Sequence, residues 1–160
     1  MATSAASVPA KIDRLDRRIA ALMRRWGTPA LRVSLAVVFI WFGILKPLGL
    51  SPAADLVKAT VAWLPFFSAD DWLAIIGWWE VLIGVTFLGR RTARIAIALL
   101  SLQMVGTFLP LVMLPAVTFQ PGHIPYAPTL EGQYIIKNLI IIAAALVLGG
   151  RVRRRDGAAA

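Results

Sequence analysis

The sequence contains no cysteine and only one histidine, His123. Structural disulfides, thiol relays, iron–sulfur clusters and cysteine zinc sites are therefore excluded from this chain, and so is the chemistry of quinone-linked thiol oxidases. A single histidine cannot provide the two axial ligands of a membrane haem. We expect no metal site and no intrinsic cofactor, and we interpret His123 as a loop residue.

Acidic residues are also scarce, since eight Asp and Glu stand against 17 Lys and Arg and leave a net charge of +9. The basic residues cluster at 11–32, 90–94 and 151–155, and each cluster flanks an apolar segment. Basic flanks of this kind mark the cytoplasmic side of membrane proteins. The distribution therefore argues against nucleic acid as a partner. It predicts a protein integral to the cytoplasmic (inner) membrane with both termini cytoplasmic.

Apolar residues make up 59% of the 160 positions, and the mean hydropathy is +0.75. Because a soluble domain holds about 45–50% apolar residues, the excess indicates an integral membrane protein whose main partner is the lipid bilayer. Four apolar segments are long enough to cross a bilayer when tilt or end anchoring is allowed. We predict an all-α fold, an up-and-down four-helix transmembrane bundle. Its spans cover residues 30–45, 72–88, 92–114 and 133–148.

Residues 11–26 place apolar side chains on one helical face and basic ones on the other. Such a segment predicts an N-terminal amphipathic surface helix, and the alternative is a basic flank that happens to be helical. Thr28 and Pro29 are favoured at a helix start and predict that the first span begins there. The predicted domains are a cytoplasmic N-terminal segment at 1–27, a transmembrane domain at 28–150 and a basic cytoplasmic tail at 151–160.

The connections between spans carry further signals. Residues 54–63 predict a short interfacial helix, and Asp70 with Asp71 predicts the cap of the second span. The pair Gly149-Gly150 predicts the end of the fourth span. Residues 115–132 are rich in proline and predict a long irregular loop, of a kind that often faces a partner.

One carboxylate, Glu80, lies inside the apolar second span, roughly 12 Å from its outer end at about 1.5 Å per residue. A lone charge at that depth costs several kcal/mol and usually marks a functional site. Helical phasing gives every span one polar or small face. These faces are Gly77, Glu80 and Gly84 on the second span; Arg32, Ala36, Phe39, Gly43 and Lys46 on the first; Gln103, Gly106, Thr107 and Pro110 on the third; and Gln133, Lys137, Ile141 and Ala144 on the fourth.

We therefore predict a polar ligand pocket in the outer half of the bundle, with Glu80 and Gln103 at its floor and two lysines nearer its mouth. The full predicted set of ligand-binding residues is Glu80, Lys46, Lys137, Gln103, Trp79 and Asn138. Three structural alternatives stay open. The lysines can anchor helix ends at the interface, Glu80 can be protonated and bonded to Gln103, and Trp79 can serve packing alone.

Three stretches resemble the DoxX-like family of small four-helix membrane proteins. They are RVSLAVVFIWFGILK at 32–46, GWWEVLIG at 77–84 and EGQYIIKNL at 131–139. The resemblance implies the four-helix fold and a setting in thiosulfate:quinone oxidoreduction or in membrane-linked oxidative-stress complexes. The residues that match the family's polar positions are Arg32, Gly43, Lys46, Glu80 and Lys137.

The resemblance leads us to expect a subunit without independent catalysis that binds a quinone or another small ligand. It would be a subunit of a quinone-linked oxidoreductase, or of another redox or oxidative-stress system of the membrane. Its partner would be a redox protein of the membrane or the periplasm. One alternative is a small transporter or channel, which would need a homo-oligomer because four short helices leave little room for alternating access. The other is a membrane anchor or assembly factor that docks through residues 115–132 and 11–25.

Overall fold

The computed structural model describes residues 10–89 and 91–156, with the backbone alone at 10 and 152–156. Within these ranges the regular structure is helical apart from one isolated antiparallel bridge, between Phe119 and Pro128. The helices are α1 (Ala10–Ile44), α2 (Ala54–Val61), α3 (Ala69–Leu88), α4 (Ala93–Met113), α5 (Pro115–Thr118), α6 (Leu130–Ile136) and α7 (Asn138–Asp156).

Four helical segments are long and apolar enough to cross a membrane. Only 22–28% of the most apolar stretch of each is buried within the protein, so most of their side chains face outward. Large apolar side chains such as Trp41, Val112 and Ile140 are among those exposed, and surfaces of this kind mark contact with lipid. The prediction of an all-α integral membrane protein with four spans is confirmed. The spans are Lys11–Ile44, Ala69–Leu88, Ala93–Met113 and Leu130–Arg151.

The predicted separate surface helix is wrong, because residues 11–26 continue without a break into the first candidate span. Pro29 lies inside α1, and Thr28 Oγ1 makes no hydrogen bond to any described residue, so this pair starts no helix. A proline in a helix interior removes one backbone hydrogen bond. The strong helix formers Ala, Leu, Met and Arg on either side nevertheless carry the helix through.

The chain divides into two compact units, Met1–Leu31 and Arg32–Ala160, and α1 belongs to both. In the first unit, Arg17 forms an ion pair with Asp13 one helical turn earlier. The Arg25 guanidinium lies 5.8 Å from the centre of the Trp26 ring in the same unit. The second unit contains the bundle and all the residues of the predicted site.

In the second unit, α1 and α3 approach each other closely. A Cβ added to Gly43 would lie 2.8 Å from the Gly77 carbonyl oxygen, and one added to Gly84 would lie 2.9 Å from the Ala36 carbonyl oxygen. These distances are shorter than a side chain tolerates, so the two helices meet backbone to backbone. Helices in lipid gain little from hydrophobic burial, and small residues that allow such contact therefore determine their packing.

Arg32 joins the same two helices at the other end of their contact. Its Nη2 donates to the carbonyl oxygens of Phe87 at 2.8 Å and Leu88 at 2.9 Å. The last carbonyls of a helix lack partners within the helix, and a guanidinium can satisfy two of them at once. With Arg32 at the end of α3 and Gly43 beside Gly77, α1 and α3 are antiparallel.

The start of α3 is fixed by a capping box. The Ser68 side chain accepts from the Asp71 backbone N–H at 3.1 Å, while the Asp71 carboxylate accepts from the Ser68 backbone N–H at 3.2 Å. The predicted cap is corrected accordingly, since Ser68 is the N-cap. Asp70 forms an ion pair with Lys58 of α2, and its hydrogen bond raises the pKa of Lys58 above the ordinary value. The predicted interfacial helix at 54–63 corresponds to α2.

Helix α4 packs against α3 on one side and α7 on the other. Its buried side chains are Ala93, Ala96, Leu100, Met104 and Pro110. Gly106 was predicted on the interior face, but it is exposed with open space around it. The predicted end of the fourth span at Gly149-Gly150 is also wrong, because α7 continues to Asp156.

The proline-rich connection is ordered rather than irregular. Beyond α5, the Gln120 backbone N–H donates to the Ala127 carbonyl at 2.9 Å, and the bridge between Phe119 and Pro128 closes the two arms. Thr129 then begins α6 as its N-cap by accepting from a backbone N–H. The prediction failed here because these bonds pair the two arms of one turn, and prolines and glycines alone do not reveal that pairing.

Candidate functional site

Glu80 lies midway along α3, on the face that contacts α1. Gly77 and Gly84 flank it at one turn on either side, and both are buried. The absence of side chains at these two positions lets the α1 backbone approach α3 on either side of Glu80. The Glu80 side chain is 14% exposed, so it is an interior group rather than a lipid-facing one.

Lys46 supplies the positive partner. It lies in the turn that follows α1. A Cβ added to Gly77 would lie 2.8 Å from the Lys46 Cβ, so Lys46 packs directly against this glycine. Its ammonium forms an ion pair with Glu80 Oε2, and Nζ also donates to the Phe42 carbonyl at 3.5 Å. The side chain is 7% exposed and turned inward, so Lys46 does not anchor the helix end at the interface.

Gln103 of α4 completes the cluster. Its Nε2 donates to Glu80 Oε1 at 3.0 Å, so each carboxylate oxygen has its own partner. The cluster Lys46–Glu80–Gln103 thereby ties together α1, α3 and α4. A buried charge with a counterion and a hydrogen bond avoids most of the penalty that a lone charge would carry.

Hydrogen-bonding capacity remains in this cluster. An ammonium has three N–H groups and an amide nitrogen has two. In the described part of the chain, the side-chain contacts of Lys46 are Glu80 and Phe42, and Gln103 Nε2 contacts Glu80. Each of the two donors therefore keeps an N–H that is not committed to these partners.

Lys137, the other predicted lysine, is not in the cluster. It is exposed, and its ammonium lies 5.1 Å from the centre of the Tyr134 ring, where a cation–π contact forms. It makes no ion pair with Glu80 among the described residues. Lys137 marks the break between α6 and α7. Gln133 on α6 is exposed as well, whereas Gly132 and Ile135 are buried, so the interior face predicted for the fourth span was wrong before that break.

The two remaining predicted residues have structural surroundings. Asn138 donates to the carbonyl oxygens of Tyr134 at 3.0 Å and Ile135 at 3.1 Å, and it thus satisfies the end of α6. Trp79 is half-buried beside Glu80 in sequence, whereas its neighbour Trp78 is exposed. Their binding roles stay predictions.

A cavity of about 210 Å³ lies elsewhere, in the groove between α4 and α7. Sequence reasoning missed this cavity, although Ser101 and Ala145 are small residues on otherwise bulky apolar helices. A shortage of side-chain volume at facing positions is the signal that could have revealed it. Its lining includes Ile97, Ser101, Met104, Ile142, Ala145 and Leu146.

Comparison with known proteins identifies no family for this chain. No protein family, curated protein or solved structure matches it. The chain is an integral membrane protein with four candidate spans.

Proposed function

We propose that this chain is a non-catalytic membrane subunit that binds the polar head of a quinone in a redox or oxidative-stress system. The proposed binding residues are Lys46, Glu80 and Gln103, with Trp79 beside them. A partner protein of the membrane or the periplasm would exchange electrons with the bound quinone. The resemblance of residues 32–46 and 77–84 to DoxX-like proteins supports this assignment.

The observation that carries the proposal is the buried ion pair between Lys46 and Glu80, together with the N–H groups that Lys46 and Gln103 do not use within the cluster. Ionisable residues inside membrane spans are rare and usually serve a ligand, an ion or a proton. A purely structural contact between α1 and α3 needs only the glycines at positions 43, 77 and 84. The ion pair adds a polar centre that this packing does not require.

The chemistry of the cluster fits a quinone. Quinone carbonyl oxygens accept hydrogen bonds, and Lys46 and Gln103 each keep an N–H that can donate one. Glu80 holds both donors in place and balances the charge of the ammonium. A bound quinone would supply the electron acceptance that the chain's own side chains cannot.

We also propose that the chain resides in the cytoplasmic membrane with both termini cytoplasmic. The exposed arginines 91, 94 and 151 lie at the ends of α4 and α7 that meet, which supports this orientation. Ligand binding by Lys137 and Asn138 stays a prediction from the sequence. The same holds for a homo-oligomer, for transport through the bundle and for a role as a membrane anchor.

Titration with a short-chain ubiquinone tests the proposal. The purified chain in phosphatidylcholine nanodiscs should bind it, with Gln103→Leu weakening the affinity about tenfold, as expected for one lost hydrogen bond of roughly 1.4 kcal/mol. Gln133→Leu is the matched control, since Gln133 is exposed on α6 and should leave the affinity unchanged. Equal affinity in the wild type and both variants would contradict the assignment.

A further inference from the structure

The groove between α4 and α7 is a second site, separate from the Lys46–Glu80–Gln103 cluster. Its cavity of about 210 Å³ is lined almost entirely by aliphatic side chains, with Ser101 at its rim. The Ser101 hydroxyl donates to the Ile97 carbonyl at 2.8 Å, so it adds little polarity to the groove. The groove is therefore an apolar slot in the outward-facing surface of two candidate spans.

The length of the groove runs along the two helices. Its lining begins at Ile97 and reaches Met104 on α4, which is roughly 10 Å at about 1.5 Å per residue. Because both helices are candidate spans, the slot follows the direction in which lipid chains lie. The cavity volume of about 210 Å³ is about seven times the roughly 30 Å³ that one water molecule occupies in the liquid. The cavity can therefore hold a segment of an acyl chain.

One end of the groove is strongly basic. Arg94 precedes Ile97 by one helical turn on α4, and Arg91 lies just before that helix. On α7, Arg151 follows Leu146 by five residues, and Gly149 lies next to Ile97, because a Cβ there would be 3.4 Å from its Cδ1. The three arginines are exposed at the same end of the α4–α7 pair.

We propose that this groove binds one anionic phospholipid, with an acyl chain in the apolar slot and the phosphate beside the arginines. Basic pockets between spans recognise anionic headgroups, and each Lys or Arg near the surface strengthens that attraction. The slot adds shape selection that a basic surface alone lacks. The proposal does not depend on the orientation of the chain or on quinone binding.

Native mass spectrometry of the purified full chain in detergent tests this site. Phosphatidylglycerol and phosphatidylcholine are supplied in equal amounts, and the lipid retained per chain is counted. The wild type should retain one phosphatidylglycerol and prefer it over phosphatidylcholine at least fivefold. Arg151→Gln should reduce that preference about fivefold, the equivalent of about 1 kcal/mol.

Two matched controls separate the groove from general lipid contact. Ser101→Leu fills the rim and should lower retention of both lipids at least threefold, whereas Ala98→Leu, exposed on the same helix outside the lining, should not. Lys137→Gln removes one exposed charge elsewhere and should leave the preference intact. Equal losses in a variant and its control would overturn the proposal. So would a change of oligomeric state in Ser101→Leu without loss of lipid, because the occupant would then be a second copy of the chain.

Discussion

Glu80 is the carboxylate at the centre of the proposed binding site. Its charge lies midway along a membrane span, yet Lys46 and Gln103 satisfy both carboxylate oxygens. Each member is therefore expected to depend on the others. Removing one partner leaves a buried group without its counterion, while removing both charges leaves no charge to bury.

A double-mutant cycle on Lys46 and Glu80 tests that dependence. Lys46→Met alone should lower the free energy of unfolding by about 3–5 kcal/mol, because the buried Glu80 carboxyl would lose its counterion. The double variant Lys46→Met/Glu80→Gln should recover most of that loss. Unfolding in a titration with denaturing detergent is measured for the wild type, Lys46→Met, Glu80→Gln and the double variant. Losses that simply add in the double variant would show that the two side chains are not coupled.

Much of the cluster could be predicted at this scale. Glu80, Lys46 and Gln103 each lie on an unbroken helical face or just beyond one, so their phase and depth follow from residue spacing. Lys137 was assigned to the wrong face, because the fourth span is apolar on several faces and residue spacing did not show that Ile135 and Leu148 face inward instead. Arg32 was assigned to the correct face, but its hydrogen bonds to the end of α3 depend on where α3 ends in space.

At the scale of the elements, the contact between α1 and α3 positions the site. Gly77→Ala should separate these helices, because the new Cβ would lie 2.7 Å from the Gly43 carbonyl oxygen. Overpacking of this kind costs about 1–3 kcal/mol of stability. The separation should also weaken the ion pair, since Lys46 and Glu80 lie on opposite sides of the contact.

Gly106→Ala provides the matched control on α4, where nothing lies within 4 Å of the added Cβ. It should leave stability unchanged or raise it by up to about 1 kcal/mol, through better helix propensity. The same denaturing-detergent titration compares the two alanine variants. If they behave alike, the backbone contact between α1 and α3 does not determine stability.

Element boundaries show why prediction from the sequence has limits here. The third span was predicted at 92–114 and observed at Ala93–Met113, because charged or proline-containing turns flank it. The first span was misplaced because Pro29 indicates a helix start by local preference, while the chain continues as a helix on both sides. Local preference could not decide between these outcomes.

For the whole molecule, orientation is the testable property. The chain has no cysteine, so single cysteines can be placed without background. Gln120→Cys, in the exposed loop before α6, should react with a membrane-impermeant maleimide added outside spheroplasts. Arg151→Cys should react only after permeabilisation. The reverse labelling pattern would place both termini outside.

We propose that the cluster Lys46–Glu80–Gln103 binds a ligand and does not only hold three helices together. The most direct test is ubiquinone binding by the folded double variant Lys46→Met/Glu80→Gln in nanodiscs. We predict that this protein keeps nearly the stability of the wild type and loses ubiquinone affinity at least tenfold. Wild-type affinity in the folded double variant would contradict the claim and leave the ion pair with a structural role alone.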